Sequence, residues 1–142
     1  MSFCKIVLSI VLFVSGIISL QGQIEGSWKT IDDNTGKPRS IIVIYKNKGQ
    51  WFGKIERVLD EVEKDKVCVA CKGEDYNKPI EGMVILKGLE KDKDQYENGT
   101  IMDPENGKTY RCKIWIDADK PDILNVRGYI TFLYRTQQWI RI

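Results

Sequence analysis

The stretch IEGSWKTI at residues 24–31 opens the folded part of the chain as a predicted β-strand that carries a Gly-x-Trp motif. The chain ends on QWIRI at residues 138–142, a second predicted strand, which supplies Trp139 and Arg141. Because strands lie at both ends of a β-forming chain, we expect the first and last strands to pair and to close a barrel.

Between these ends, short runs rich in β-branched and aromatic residues alternate with turn signals. The run IIVIY at residues 41–45 leads into a turn at 47–49, and DPENG at 103–107 supplies the Pro and Gly that a turn favours. The predicted strands span residues 24–31, 39–46, 50–58, 82–88, 95–102, 108–116, 123–130 and 136–142. Eight short strands separated by turns predict an all-β fold, an eight-stranded antiparallel up-and-down barrel.

Residues 1–22 differ from the rest of the chain. Lys5 precedes the apolar run Ile6–Leu20, which has small residues near its end. The run has 15 residues, short of the roughly 20 that a spanning helix needs, so the segment is predicted to be a cleaved secretory signal peptide. We therefore expect a single domain at residues 23–142, periplasmic or secreted, with no stable membrane insertion after cleavage.

The charge balance and the absence of one residue type limit the possible functions. The chain has 22 basic and 20 acidic residues, and loss of residues 1–22 removes only Lys5, which leaves 21 − 20 = +1. This near-neutral balance argues against a nucleic-acid partner. The chain contains no His, which excludes Ser-His and Cys-His nucleophile pairs and removes the commonest metal ligand. We expect neither a metal nor another cofactor.

Three cysteines follow the predicted signal segment: Cys68, Cys71 and Cys112. In an oxidising compartment a pair would tend to form a disulfide, either Cys68–Cys71 or one of these with Cys112. A structural disulfide that fastens the long connection at residues 59–81 is the favoured interpretation. A redox-active Cys-x-x-Cys is the alternative, although the motif lacks the βαβ surroundings that would support it.

Four stretches together resemble a known bacterial family: GSWKT at 26–30, CVACKG at 68–73, DPENGKTY at 103–110 and VRGY at 126–129. They resemble the exported family known as domain of unknown function 2147, and the resemblance covers nearly all of the mature chain. The Gly-x-Trp with Trp28, and a cation near the chain end, also resemble the calycin barrels, which include the lipocalins and fatty-acid-binding proteins. That resemblance implies a calycin-like barrel in which Trp28 plugs one end beneath Arg141.

The leading functional hypothesis is a non-enzymatic exported protein that binds a small apolar or amphipathic ligand inside the barrel. The candidates for lining or closing such a cavity are Trp28, Trp51, Tyr110, Arg127, Trp139 and Arg141. A thiol-disulfide oxidoreductase that uses Cys68 and Cys71 is an alternative of a different class. A third hypothesis is an envelope adaptor that meets a protein partner through the 59–81 loop.

Overall fold

A computed structural model describes residues 23–142, and the predicted signal segment lies outside them. Its eight strands are β1 (Gly26–Ile31), β2 (Pro38–Asn47), β3 (Gln50–Val58), β4 (Val84–Asp92), β5 (Gln95–Asp103), β6 (Lys108–Trp115), β7 (Ile123–Ile130) and β8 (Leu133–Arg141). A 3₁₀ helix at Gly73–Asp75 lies in the long β3–β4 connection. Within residues 23–142, no helix has the length and apolar character needed to cross a membrane.

The sheet closes on itself. Each strand pairs antiparallel with the next, and β8 returns to pair with β1, where Trp28 lies opposite Arg141. Closure by the two chain ends removes the unpaired edges that an open sheet would present. The predicted eight-stranded antiparallel up-and-down barrel is therefore confirmed, including its closure by the first and last strands.

Strands β3 and β7 have the predicted bounds, whereas β4 and β8 differ most. β4 starts two residues after the predicted start at 82 and continues to Asp92, because the turn that follows is confined to residues 93–94. β8 begins at Leu133 rather than at 136, because a tight turn at Thr131 and Phe132 joins it to β7. Thr131 has a φ of 53°, a conformation that β-branched residues disfavour, so the sequence does not signal this turn.

Alternation along the strands divides inward from outward side chains, as β6 shows. Tyr110, Cys112 and Ile114 point into the barrel, and Arg111 and Lys113 point out. Cys112 is a buried free thiol, and its burial raises its pKa to about 12. The thiol therefore stays protonated and unreactive at neutral pH.

The long β3–β4 connection is fastened to the β5–β6 turn. A disulfide joins Cys68 to Cys71, so the local pairing is the one that forms. The Cys68 Sγ lies 3.3 Å from the carbonyl oxygen of Pro104. Gly107 permits the close approach, because it has a φ of 70° and a Cβ there would lie 1.9 Å from the Ala70 carbonyl oxygen.

Candidate functional site

A cavity of about 500 Å³ lies in one half of the barrel, which we call the open half. It opens between the β1–β2, β3–β4, β5–β6 and β7–β8 connections. Pockets that hold small molecules have volumes of about 300–1,000 Å³, so the cavity is large enough for one. Its lining includes the aliphatic residues Ile42, Ile55, Val58, Ile80, Ile85, Ile101 and Val126, which we call the aliphatic wall.

Polar side chains, such as Thr30, Ser40 and Gln137, share the lining of the cavity with the aliphatic wall. The hydroxyl oxygens of Thr30 and Ser40, both cavity residues, lie 2.7 Å apart. Trp139 of β8 also lines the cavity and is 2% exposed, and within residues 23–142 its indole Nε1–H has no hydrogen-bond acceptor. A buried donor without an acceptor costs about 1–3 kcal/mol. This nitrogen has almost no accessible surface, so a bound molecule would reach it only if the indole moved.

Charged residues surround the mouth of the cavity. Five carboxylates and two guanidinium groups belong to it: Asp32, Asp60, Glu63, Asp103, Glu105, Arg39 and Arg135. Both arginines are paired with carboxylates, Arg39 with Glu105 and Arg135 with Asp33. The mouth therefore has a negative field, which disfavours the entry of an anionic head group.

Asp32 is held ionised at the rim of this mouth. Its Oδ1 accepts hydrogen bonds from the backbone N–H groups of Asn34, at 2.8 Å, and Thr35, at 3.1 Å. These two bonds, with a smaller contribution from the charge of Arg39, lower the pKa of Asp32 from its ordinary 3.8. The carboxylate therefore keeps its charge well into the acid range.

The other half of the barrel, which we call the closed half, is filled by side chains. Trp28 is fully buried, and its Nε1–H donates to the Ile24 carbonyl oxygen at 2.7 Å. The guanidinium carbon of Arg141 lies 4.2 Å from the Trp28 ring centroid, and its Nη2 donates to the Gln23 carbonyl oxygen at 3.1 Å. The expected packing of Arg141 on Trp28 is present and closes this end of the barrel.

Trp51 also belongs to the closed half. Its ring meets Tyr96 edge-on with centroids 4.9 Å apart, and its Nε1–H donates to Glu25 Oε1 at 2.8 Å. Burial, with a smaller contribution from the negative charge of Glu25, raises the pKa of Tyr96. Aromatic rings therefore fill the interior of the closed half, whereas the interior of the open half contains a cavity.

Arg127 lies on the outside of the barrel. Its guanidinium carbon is 4.9 Å from the Trp115 ring centroid and 4.1 Å from that of Tyr134. Its Nε–H donates to Thr136 Oγ1 at 2.9 Å. The outward direction agrees with the alternation along β7, in which Leu124 and Val126 point inward.

Of the six residues proposed from the sequence, two line the cavity, three fill or cap the closed half and one lies outside. The cavity pair is Trp139 and Tyr110, whose Oη accepts a hydrogen bond from Asn106 Nδ2 at 3.1 Å. Sequence reasoning missed the aliphatic wall and Gly128, whose lack of a side chain keeps part of the cavity open. Alternation marks Gly128 as inward, but it does not show which inward residues border empty space.

Comparison with known protein families identifies the family of this chain. A family described as "Uncharacterized protein conserved in bacteria (DUF2147)" matches residues 26–141. The chain belongs to this family. The match runs from the first residue of β1 to the last residue of β8, so it covers the whole barrel and confirms the resemblance drawn from the sequence. No curated protein matches the chain.

Among solved structures, this DUF2147 member is similar to protein HP1028 from Helicobacter pylori, described as belonging to the lipocalin family. The two share 20% sequence identity with a TM-score of 0.73, and the match covers 85% of this chain and 84% of that chain. At this identity the similarity shows the fold. It confirms the calycin-like architecture of the barrel.

Proposed function

We propose that this DUF2147 member is an exported, non-enzymatic protein that binds a small apolar or amphipathic molecule in the open half of its barrel. The observation that carries the proposal is the cavity of about 500 Å³ with aliphatic side chains in its lining. These side chains would bury an apolar body.

The mouth restricts the polar end of the same molecule. Carboxylates outnumber arginines there, and Asp32 keeps its charge at acid pH. A neutral or cationic head group is therefore favoured over a carboxylate or phosphate. The predicted signal segment and the Cys68–Cys71 disulfide support an exported, periplasmic or secreted location, because disulfides form and persist in oxidising compartments.

The proposal is tested by titration with the neutral fluorescent probe N-phenyl-1-naphthylamine. We expect saturable binding, and displacement of the probe by alkyl amines and alcohols at lower concentration than by a carboxylate of the same chain length. Failure of the folded protein to bind the probe would refute the proposal.

The geometry gives little support to a thiol oxidoreductase. Cys68 and Cys71 are both buried, and the disulfide packs against the β5–β6 turn. Catalytic cysteines are partly exposed and are often activated at a helix N-terminus, whereas no α-helix lies in the β3–β4 connection. These features favour a structural disulfide that holds the connection in place.

An adaptor role is the second candidate, because the β3–β4 connection exposes apolar side chains. Val62, Val69 and Tyr76 are all exposed there. If this surface binds a protein partner, Val69→Ser with Tyr76→Ser should remove a specific cross-linked complex from cell extracts without changing probe binding. An unchanged cross-linking pattern would exclude the adaptor role of these residues.

A further inference from the structure

The charged residues of the strands are divided unevenly around the barrel. Strands β6, β7, β8, β1 and β2 contain no Asp or Glu, whereas β3 and β4 contain both signs of charge and the charged residues of β5 are all acidic. Strands β6, β7, β8 and β1 are adjacent, because β8 pairs with β1. We call the outer surface of these four strands the basic wall.

Three cations lie close together on the basic wall. Lys113 is directly opposite Arg127, and Arg111 is one step away, opposite Tyr129. Side chains directly opposite in an antiparallel sheet are about 4.5–5.5 Å apart at Cβ, and like charges there are destabilising. None of the ion pairs formed within residues 23–142 includes these three cations. An anion bound on the outside would relieve their repulsion.

The β7–β8 hairpin extends the basic wall with an apolar tip. Its exposed residues are Ile130, Phe132, Leu133 and Tyr134, with Phe132 at 90% and Leu133 at 66% exposure. No charged side chain lies between Arg127 and Arg135. A contiguous exposed group of this kind indicates contact with an apolar phase or a partner.

We infer that the basic wall and the hairpin tip form a docking surface for a lipid bilayer with anionic head groups. Aromatic and aliphatic side chains at such a tip enter the interfacial region, and the neighbouring cations meet the lipid phosphates. A nucleic acid would match the cations but leave the tip in water. A second copy docked face to face would bring two basic walls together, so like charges would oppose that arrangement.

The docking surface is adjacent to the cavity. Ile130 belongs both to the hairpin tip and to the cavity lining. The acidic mouth of the open half opposes anionic head groups, so the attraction must come from the basic wall and the apolar tip. The inference itself rests on the outer surface, so it does not depend on the identity, or the existence, of a bound ligand.

The test is flotation of the protein with vesicles of phosphatidylethanolamine and phosphatidylglycerol, compared with vesicles of phosphatidylcholine alone. We expect salt-sensitive binding to the anionic vesicles only. Phe132→Ser with Leu133→Ser should weaken it at least about tenfold. Arg111→Gln with Lys113→Gln should weaken it about 20- to 30-fold, since each cation near an anionic surface contributes about fivefold.

Matched controls replace the same residue types elsewhere on the surface. Val62→Ser with Val69→Ser removes exposed apolar side chains from the β3–β4 connection, and Lys54→Gln with Lys64→Gln removes two cations outside the basic wall. Neither control should change vesicle binding. All the substituted positions except half-buried Lys113 are exposed, and melting curves check that each variant is folded.

Phe132→Trp supplies an independent readout, because brominated lipids should quench its fluorescence when the tip enters the bilayer. Three results would overturn the inference. They are an absence of vesicle binding, equal binding to neutral and anionic vesicles, and binding that survives the tip substitutions. A dimer in sedimentation analysis that dissociates in the tip variant would assign the tip to a second copy instead.

Discussion

The closed and open halves of the barrel are built from different inward-facing residues. The closed half packs Trp28, Trp51 and Tyr96 together, with the indole N–H groups of both tryptophans hydrogen-bonded and Arg141 over the Trp28 ring. The open half presents smaller side chains, among them Ile42, Ile55 and Gly128, which leave a cavity. One end of the barrel is therefore filled by packed side chains, and the other end has a cavity that a ligand could enter.

This difference predicts that the closed half contributes mainly to the stability of the fold and the open half mainly to ligand binding. Large rings bury the most area and contribute most to the core, so the closed half is expected to carry a large share of the folding free energy. An empty cavity contributes little packing, so substitutions of the residues that line it should alter ligand binding more than stability. Substitutions at the two ends should affect different measurements.

The largest effect is expected from the plug of the closed half. Trp28→Ala removes a fully buried indole, its hydrogen bond to Ile24 and the packing of Arg141, and should lower the free energy of unfolding by about 3–5 kcal/mol. Urea denaturation measures this loss. Trp28→Phe, the control, should cost less because a ring remains beneath Arg141. Lost probe binding with an unchanged unfolding curve would contradict the separation of the two halves.

Filling the cavity of the open half should weaken probe binding and leave the free energy of unfolding almost unchanged. A Cβ at Gly128 would meet Ile101 Cγ2 and Tyr110 Cβ at 3.8 Å, an ordinary contact, so Gly128→Leu can extend into the cavity without backbone strain. We expect the probe dissociation constant to rise at least about tenfold while the free energy of unfolding changes by less than about 1 kcal/mol. Gly128→Ala is the control and should bind nearly normally. Equal binding by the Leu and Ala variants would place the ligand elsewhere.

The smallest effect is expected at the rim. The pKa of Asp32 is lowered in the folded protein, so its contribution to stability is present above the unfolded-state pKa and is lost as pH falls through the lower folded-state value. Asp32→Ala should therefore lower the melting temperature slightly at pH 7, and the difference from wild type should vanish in strong acid. Asp119→Ala, on the exposed β6–β7 turn, is the control. A difference that persists at the lowest pH would show that the carboxylate charge is not its source.

Local patterns in the sequence were sufficient for the class of fold. Alternation and turn chemistry are properties of neighbouring residues, so they predict eight strands, and the exact bounds of β3 and β7. The turn at Thr131 and Phe132 was missed, because Thr131 takes a positive φ that only its place in the β7–β8 hairpin imposes. For the candidate site, the sequence predicted Trp139 and Tyr110 as aromatic residues on strands. It did not predict the aliphatic wall around them.

By itself, the sequence determined an all-β chain, the number of its strands and their closure at the termini, and its resemblance to the calycin barrels implied the position of Arg141 over Trp28. The tertiary structure alone decided which half is hollow, which cysteines pair and how the cations gather on one wall. These properties depend on residues that are far apart in the chain. The register of the strands brings them to the same height in the barrel. Strand register is a collective result of packing all eight strands, and no local pattern contains it.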